Sequence, residues 1–379
     1  MRKKRLLFDV NSIVTYIRDG HLTGIGRTTY ELLNQWNQFV NEIPFEIILY
    51  SQNTKRVSPK GLFKFKTFHC FWPNRSNWKK LLYPFRIRKL LTRYDLNHIP
   101  HNVDVLEEVS NTILTIHDVM SYRFSDSWKS AKWAITDEYK RRLEFAAKYC
   151  KAIVTCSECS KRDIVQYLDV PESKVTVIPW GINREMFQPM YDDEYLHRIG
   201  VKGLYYFTSS ANHPRKNLPL LLAAYCAYLD MGGWGQLVVL NPEEEHLTTV
   251  MGLIADGKII VLRKISDEEL AVLYTNAQSS LMLSSYEGFG LPVLESLACG
   301  TQVICARNSS LVEAGGDIVD YIDDMSADAI ASKMIDYDKR NKNSILNCET
   351  FEQHLLNFSW ELCARKYIEF YKVQLGIND

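Results

Sequence analysis

The sequence contains no run of apolar residues close to the roughly 18–20 that a membrane-spanning helix needs. It also has no net charge, with 45 Lys and Arg against 45 Asp and Glu. Its basic first residues, MRKKRLLFDVNS, become polar again after a short apolar run, so we interpret them as the approach to a first strand and not as a signal peptide. With 379 residues, of which 46% are hydrophobic, the chain is long enough for two domains with a core each.

Cysteine occurs without a pattern. The nine cysteines are an odd number and are scattered through apolar segments, which is typical of free thiols in a reducing compartment. Cys156 and Cys159 form a C-x-x-C, but no second pair lies near them to complete a zinc site. We interpret these two as small apolar residues where a strand meets a helix, with a redox pair as the alternative.

Acidic residues are missing from one long segment, 51–93. It contains twelve Lys and Arg and no Asp or Glu, and eight aromatic residues are interleaved with them. A solvated surface usually mixes both signs, whereas a basic and aromatic segment suits membrane headgroups, a pyrophosphate-bearing acceptor or nucleic acid. We favour a membrane or a lipid-linked acceptor over nucleic acid, and an ordinary basic surface is the alternative.

What the sequence does contain is a regular alternation of short β-rich runs and longer amphipathic stretches. The first series of predicted strands covers 5–11, 45–51, 112–118, 152–157 and 174–180. The second series covers 204–210, 236–241, 258–264, 279–285 and 302–306. Apolar strands that alternate with helices form parallel sheets covered on both faces. The sequence therefore predicts an α/β protein with two doubly wound domains.

The polar stretch between the two series suggests the boundaries. We expect an N-terminal domain over 1–182, a linker over 183–200 and a C-terminal domain over 201–356. The long amphipathic segment 357–379 is a candidate to pack back on the N-terminal domain. Ligands of such sheets bind at the carboxyl ends of the strands, so we expect the chemistry in the loops that follow the strands, with a shared ligand in the cleft between the domains.

Two loops of the N-terminal domain carry candidate residues. Gly24 and Gly26 begin the first predicted helix, where free backbone N–H groups can meet an anion. Thr29 replaces the third glycine of a dinucleotide fingerprint, which disfavours an NAD site; a phosphate-binding turn and a plain tight turn both stay open. His117 closes a predicted strand, where it can donate to a sugar hydroxyl or can be structural.

The C-terminal domain carries charged candidates in two loops. Arg215 and Lys216 precede a helix after the first strand, which suits a diphosphate, with a solvated basic turn as the alternative. Glu287 and Glu295 flank a glycine-rich turn and a helix that has Pro292 in its first turn. In a continuous helix their spacing would be about 12 Å, beyond the roughly 5–9.5 Å of glycosidase acid/base pairs. We therefore predict that they contact two ends of one extended ligand.

These residues resemble the E-x7-E signature of retaining glycosyltransferases of the GT-B fold, in particular those of family 4. The motifs occur in the family's order along nearly the whole chain, and they are specific as a set: TGIGR (23–27), TIHD (115–118), VTCSECSKRDI (154–164), VTVIPWGINREMF (175–187), PRKNL (214–218), YEGFGLPVLESLACGTQVI (286–304) and FSWE (358–361). The resemblance implies two Rossmann-like domains, retention of anomeric configuration, and no metal ion or other cofactor.

The resemblance also implies roles for individual residues. Glu295 would hold the ribose of a sugar nucleotide, Glu287 would hold hydroxyls of its sugar, and His117 would contact the transferred sugar. The backbone amides expected to meet the sugar and the diphosphate are those of Gly288, Phe289, Gly290 and Leu291.

The donor diphosphate is the expected partner of the cations. Lys216 would neutralise it together with Arg215, and Gly24 and Gly26 would approach it from the N-terminal domain. Many family members have Gly-Arg after the first strand of the C-terminal domain, where this chain has Ser209 and a second serine. Ser209 is therefore a donor-binding candidate, and Arg215 is expected to compensate for the missing arginine.

The expected function is transfer of a hexose, of the mannose or glucose type, from a UDP- or GDP-sugar to a lipid-linked saccharide of a surface polysaccharide such as O-antigen. We expect a cytoplasmic enzyme, peripheral on the inner face of the membrane through 51–93. The alternatives are a non-catalytic sugar-nucleotide or glycan-binding subunit and a sugar-nucleotide epimerase of the same fold. The formal D-x-D of Asp336 and Asp338 is expected at the surface, and the base is expected to contact the Arg263–Asp267 loop.

Overall fold

A computed structural model describes residues 2–14, 24–53, 60–71, 89–101, 110–124, 136–209, 212–340 and 348–377. The chain forms two compact units, one of Met1–Gly181 with Trp360–Asp379 and the other of Ile182–Ser359. Each unit has its own parallel sheet, which confirms the predicted α/β class with two doubly wound domains. Among the described residues, no helix has the length and apolar character needed to cross a membrane.

The N-terminal unit is built on a seven-stranded sheet. Its strands are β1 Arg5–Asp9, β2 Glu46–Asn53, β3 Lys66–Phe71, β4 Leu96–Ile99, β5 Thr112–Thr115, β6 Ala152–Thr155 and β7 Val175–Val177. The described α-helices are α1 Gly24–Gln38, α2 Met120–Arg123, α3 Asp137–Tyr149 and α4 Glu158–Leu168, with the last helix of the chain in addition. The strand order is β3-β2-β1-β4-β5-β6-β7. It reverses between β1 and β4, whose carboxyl ends therefore flank the crevice where such sheets bind ligands.

The C-terminal unit is built on a six-stranded sheet. Its strands are β8 Tyr205–Thr208, β9 Gln236–Leu240, β10 Ile259–Leu262, β11 Ser279–Met282, β12 Val303–Ala306 and β13 Asp320–Ile322. The α-helices are α5 Asp193–Arg198, α6 Leu218–Asp230, α7 Glu244–Leu247, α8 Met251–Ala255, α9 Asp267–Asn276, α10 Leu291–Ala298, α11 Leu311–Gly315, α12 Ala327–Asp338 and α13 Cys348–Leu355. The order β10-β9-β8-β11-β12-β13 reverses between β8 and β11.

The last helix, α14 Trp360–Leu375, belongs to the core of the N-terminal unit. The indole Nε1 of Trp36 on α1 donates to the carbonyl of Ala364 at 3.1 Å. Buried His98 on β4 hydrogen-bonds to the hydroxyl of Tyr371 and, at 2.7 Å, to that of Thr115 on β5. This helix is therefore held by buried polar contacts as well as by apolar packing.

The sequence predicted ten of the strands, each extending at least one residue beyond the observed strand at one end, and missed β3, β4 and β13. Two of the missed strands read LNHI and DYI, and are too short and too polar to show a clear apolar pattern. The stretch predicted as a linker contains α5. The segment 51–93 is described only in part, because residues 54–59 and 72–88 lie outside the described ranges.

The surface prediction for the D-x-D is right for Asp336, which is exposed, and wrong for Asp338, which is half-buried. Tyr337 is fully buried, and Asp338 accepts hydrogen bonds from the hydroxyls of Tyr206 and Tyr228, each at 2.7 Å. Asp338 therefore ties α12 to β8 and α6, a structural use that the helical pattern alone did not indicate.

Candidate functional site

Three loops meet at the carboxyl ends of the neighbouring strands β8, β11 and β12. The backbone N–H of Ser285 donates to the carbonyl of Arg215 at 2.7 Å, and the side chain of Asn217 donates to the carbonyl of Leu283 at 2.8 Å. The side chain of Asn308 donates to the carbonyl of Ser284 at 2.9 Å. The loops are thus joined into one rim at the reversal of strand order, where open α/β sheets bind ligands.

Glu287 lies at the centre of this rim and is buried. Its Oε1 atom is 2.7 Å from Lys216 Nζ and accepts a hydrogen bond from Ser284 Oγ at 2.7 Å, while its Oε2 atom is 2.5 Å from Arg215 Nη1. Burial alone would raise the pKa of Glu287, but the charges of Lys216 and Arg215 and the hydrogen bonds outweigh it and lower that pKa to about 2. Glu287 is therefore ionised at neutral pH.

The two cations are placed by a short 3-10 turn, Pro214–Lys216, whose proline lies in the first turn and whose N-cap His213 accepts from the backbone N–H of Arg215. Arg215 also donates to the carbonyl of Tyr286 at 3.1 Å. Burial lowers the pKa of Lys216, and the charge of Glu287 opposes that shift. Two cations around one carboxylate leave one net positive charge in a buried place, which is suited to an anionic ligand.

The segment after Glu287 has the predicted turn-then-helix form. Gly288 and Phe289 form the turn, and Gly290 is the N-cap of α10, with a φ of +97° and a position where a Cβ would lie 3.0 Å from that of Ala314. Helix α10 begins at Leu291. Pro292 has no N–H, and the N–H of Val293 donates to the carbonyl of Gly290 at 3.0 Å, so at this end of α10 it is the N–H of Leu291 that can meet an anion or hydroxyl.

Glu295 lies on α10 and is connected to Ser209 by a buried tyrosine. Tyr274 on α9 donates to Glu295 Oε2 at 2.9 Å, and the Ser209 side chain hydrogen-bonds to the same tyrosine. Burial raises the pKa of Tyr274 well above its ordinary value, so its hydroxyl keeps its proton and stays a donor. The structure thus brings Ser209 and Glu295 into one hydrogen-bond chain.

His117 follows β5 in the N-terminal unit and is held in its neutral form. Its Nε2 atom is 3.2 Å from the carbonyl of Pro100, which can only accept, so Nε2 carries the proton. Burial lowers the pKa of His117 to about 4, against the opposing effect of the Pro100 hydrogen bond. The ring lies edge-on to Trp180, with centroids 5.2 Å apart.

A small cavity adjoins His117. The volume that the centre of a water molecule can occupy in it is about 10 Å³. The side chains that line it include Thr28, Thr29, Thr115 and Trp180. That volume suits about one water. Gly24 and Gly26 lie on the same helix as Thr28 and Thr29; Gly24 is exposed, and Gly26 is buried.

Cys156 and Cys159 are buried free thiols, as expected for small apolar residues where a strand meets a helix.

Residues that sequence reasoning missed include Ser284, which contacts Glu287, and Asp9 at the end of β1. Asp9 is buried, accepts from the backbone and side chain of Asn11 at 2.8 and 2.7 Å, and lies 3.5 Å from His101 Nε2. An acidic residue that closes an apolar run was the available signal for Asp9.

Comparison with known proteins identifies relatives of both units. Residues 22–186 match the family model described as Glycosyltransferase Family 4, and residues 205–344 match that described as Glycosyl transferases group 1. A probable sucrose-phosphate synthase of Thermosipho melanesiensis is 29% identical over 74% of this chain and 69% of its own length. The O-antigen chain mannosyltransferase B of Escherichia coli is 24% identical over 93% of this chain and 96% of its own length.

Solved structures share the fold. The sucrose-phosphate synthase of Thermosynechococcus elongatus superposes with a TM-score of 0.73 at 15% identity over the full length of both chains. Anabaena Alr3699/HepE, solved with UDP and glucose, superposes with a TM-score of 0.70 at 12% identity over 98% of this chain and 100% of that one. The two family matches span most of the sequence, and both units have the sheets of the GT-B fold. The chain therefore belongs to the family 4 type of GT-B glycosyltransferases.

Proposed function

We propose that this chain is a retaining glycosyltransferase that transfers a hexosyl group from a nucleoside-diphosphate sugar to a lipid-linked saccharide of a surface polysaccharide. The observation that carries the proposal is the cluster of buried Glu287 with half-buried Arg215 and Lys216 at the reversal of strand order in the C-terminal unit. The similarity to O-antigen mannosyltransferases supports the sugar and acceptor classes.

The cations of the cluster have donors left for a diphosphate. Lys216 carries three N–H donors and Arg215 carries five, and Glu287 engages only part of them. The Nε atom of Arg215 is buried and has no hydrogen-bond partner among the described residues. An incoming diphosphate would satisfy that donor.

The order of these groups along the chain assigns a contact to each remaining part of the donor. In this proposal Glu287 accepts from hydroxyls of the sugar, the amides from Gly288 to Leu291 meet the sugar and the diphosphate, and Glu295 accepts from the ribose. The Tyr274 hydroxyl donates to Oε2 of Glu295 and holds this carboxylate in place for the ribose. Ser209 acts in this proposal through Tyr274, and Arg215 supplies the charge that the serines do not.

The proposed reaction retains the configuration of the anomeric carbon. The bond from that carbon to the phosphate oxygen breaks, the acceptor hydroxyl oxygen bonds to the same face, and the hydroxyl proton moves to the departing phosphate. Neutral His117 would hydrogen-bond to the transferred sugar without adding charge. Arg215 and Lys216 supply the positive charge, so no metal ion is needed, and we expect turnover in excess EDTA to equal turnover without it.

The test is a binding and transfer assay with a panel of UDP-glucose, UDP-galactose, UDP-N-acetylglucosamine and GDP-mannose. We expect calorimetry to show binding of one of these, and transfer to a lipid-pyrophosphate saccharide with an α-linkage from an α-linked donor. Glu295→Ala should weaken binding at least tenfold while the protein still unfolds in a cooperative thermal transition. A chain that binds no member of the panel contradicts the proposal.

The same assay separates the alternatives. Binding with neither transfer nor slow donor hydrolysis would indicate a non-catalytic sugar-nucleotide subunit. Conversion of the donor to an epimer in the absence of acceptor would indicate an epimerase.

We also propose that the basic segment 51–93 contacts an anionic membrane surface at the inner face of the cell membrane. Its described part exposes Lys60, Lys64 and Phe68 beside or on β3, the edge strand of the sheet. We expect co-flotation with vesicles that contain phosphatidylglycerol and none with pure phosphatidylcholine. Equal flotation with both, or with neither, would refute this part of the proposal.

A further inference from the structure

Two consecutive serines in the loop after β12 hold the backbone of Glu287. The N–H of Glu287 donates to Ser309 Oγ at 2.9 Å, and its carbonyl accepts from Ser310 Oγ at 2.7 Å. Glu287 lies in a turn and outside any helix or strand, so no regular ladder of hydrogen bonds fixes its backbone. The hydrogen bonds of the two serine hydroxyls fix it instead.

Ser309 is itself held in an unfavourable conformation. Its φ is +47°, a left-handed region that residues with a Cβ seldom adopt and that glycine adopts freely. Backbone strain of this kind persists where the surroundings enforce it, and it is often found at functional sites. The backbone alone would favour glycine at this position, so the hydroxyl is the feature that calls for serine.

The hydroxyl of Ser309 belongs to a closed set of contacts that returns to Glu287. Ser309 donates to Asn308 Oδ1 at 2.9 Å, and Asn308 donates to the carbonyl of Ser284 at 2.9 Å. Ser284 in turn donates to the Glu287 carboxylate at 2.7 Å. The loop after β12 therefore reaches both the backbone and the side chain of Glu287.

We propose that Ser309 and Ser310 are positioning residues that fix the carboxylate of Glu287 for the sugar of the donor. This inference rests on the proposed function, in which Glu287 contacts the sugar and not the nucleotide. The serines touch neither Lys216 nor Arg215 in the described contacts, so they act through Glu287 alone.

The test compares affinity for a whole sugar nucleotide with affinity for its nucleoside diphosphate. For the wild type, calorimetry gives the dissociation constants of UDP-glucose and UDP, or of GDP-mannose and GDP, whichever pair binds. Ser309→Gly removes the hydroxyl and relieves the left-handed backbone. We expect it to raise the dissociation constant of the sugar nucleotide about five- to tenfold, as the loss of one buried hydrogen bond at about 1 kcal/mol implies, and to leave that of the nucleoside diphosphate unchanged.

Stability distinguishes positioning from a structural role. Ser309→Gly should change the denaturant midpoint little, because relief of the left-handed backbone offsets the lost hydrogen bonds and the greater freedom of glycine in the unfolded chain. Ser310→Ala should show the same selective loss of sugar-nucleotide affinity with a lower midpoint. Asp169→Gly is the matched control, since Asp169 is exposed in the N-terminal unit with a φ of 50°. It should relieve its own strain and leave both affinities unchanged.

The outcomes are separable. If the wild type binds a sugar nucleotide and Ser309→Gly binds it equally well, the positioning proposal is wrong and the proposed function stands. Equal losses of affinity for the sugar nucleotide and the nucleoside diphosphate would also overturn it. A wild type that binds no sugar nucleotide overturns both.

Discussion

His117 and Glu287 are buried titratable groups that follow a strand in different units, and their surroundings treat them in opposite ways. His117 contacts a carbonyl and an indole, and burial drives its pKa down to about 4. Glu287 contacts two cations and a hydroxyl, and its pKa falls to about 2 although burial acts in the other direction.

The difference shows that burial does not by itself decide the charge of a group. Burial disfavours the charged form of both residues, and His117 is uncharged because burial lowers its pKa and the nearby His101 acts in the same direction. Glu287 stays charged because positive charges were buried with it. The N-terminal unit therefore offers an uncharged hydrogen-bonding group, and the C-terminal unit offers a preformed charged cluster. The proposed function uses the first at the transferred sugar and the second at the donor diphosphate.

The largest loss of stability is expected when the carboxylate of the charged cluster is removed. Glu287→Gln leaves Arg215 and Lys216 buried without their carboxylate, and removal of one partner of a buried pair costs about 3–5 kcal/mol. We expect the free energy of unfolding of the C-terminal unit to fall by about 3 kcal/mol in denaturant titrations.

The control for Glu287→Gln is the double variant with Lys216→Met. Removing one stranded cation should recover part of the lost stability, so the two changes should be non-additive by at least 1 kcal/mol, the size that coupled groups show. Additive losses would contradict the view that Glu287 is ionised by its cations.

An acid titration separates the two sides by their pH windows. The folded-state pKa values of His117 and His98 are about 4 and about 3, below the ordinary 6.5. The unfolded chain therefore binds more protons below pH 6.5, and the stabilisation from these neutral histidines is complete above pH 6.5 and is lost as the pH falls toward 4. Within this range each histidine lowers the free energy of unfolding by about 1.4 kcal/mol for each unit that the pH falls.

Between pH 6.5 and 4.5 the free energy of unfolding should fall in both proteins. In His117→Gln, which keeps a donor for Pro100, we expect this fall to be about 2–3 kcal/mol smaller than in the wild type. Glu287 has an ordinary pKa of 4.5 and a folded value of about 2, so its contribution falls only below this window. Glu287→Gln should consequently leave the slope between pH 6.5 and 4.5 unchanged. A wild-type slope in His117→Gln would mean that His117 is not buried in its neutral form.

The smallest effect sharpens the comparison at Glu295, a carboxylate that accepts from the neutral hydroxyl of Tyr274. Tyr274→Phe removes only that hydroxyl, so we expect a loss of about 1 kcal/mol in stability and about fivefold weaker binding of the nucleoside diphosphate. Tyr205→Phe is the matched control, since the Tyr205 hydroxyl is equally buried and donates to the carbonyl of Leu273 at 2.8 Å. It should cost similar stability without changing affinity, and equal affinity losses in both variants would refute the positioning of Glu295.

Much of the fold could be predicted because its signals are local. Apolar runs such as AIVT and VICA predict buried parallel strands, and the glycine–proline spacing predicts where α10 begins. The strands LNHI and DYI were missed because a segment of three or four residues that includes polar ones shows no recognisable apolar periodicity. Asp338 was placed wrongly because its partners on β8 and α6 are distant in sequence.

The sequence by itself determined which chemical groups end the strands, since the order of apolar runs and polar loops is written along the chain. It determined the two α/β series, the turn before α10, and the presence of Arg215, Lys216 and Glu287 in loops. Only the tertiary structure decided which of these groups touch. The parallel order β8-β11-β12 brings together loops that are about 70 and 20 residues apart along the chain, and the resulting burial sets the charge of each group.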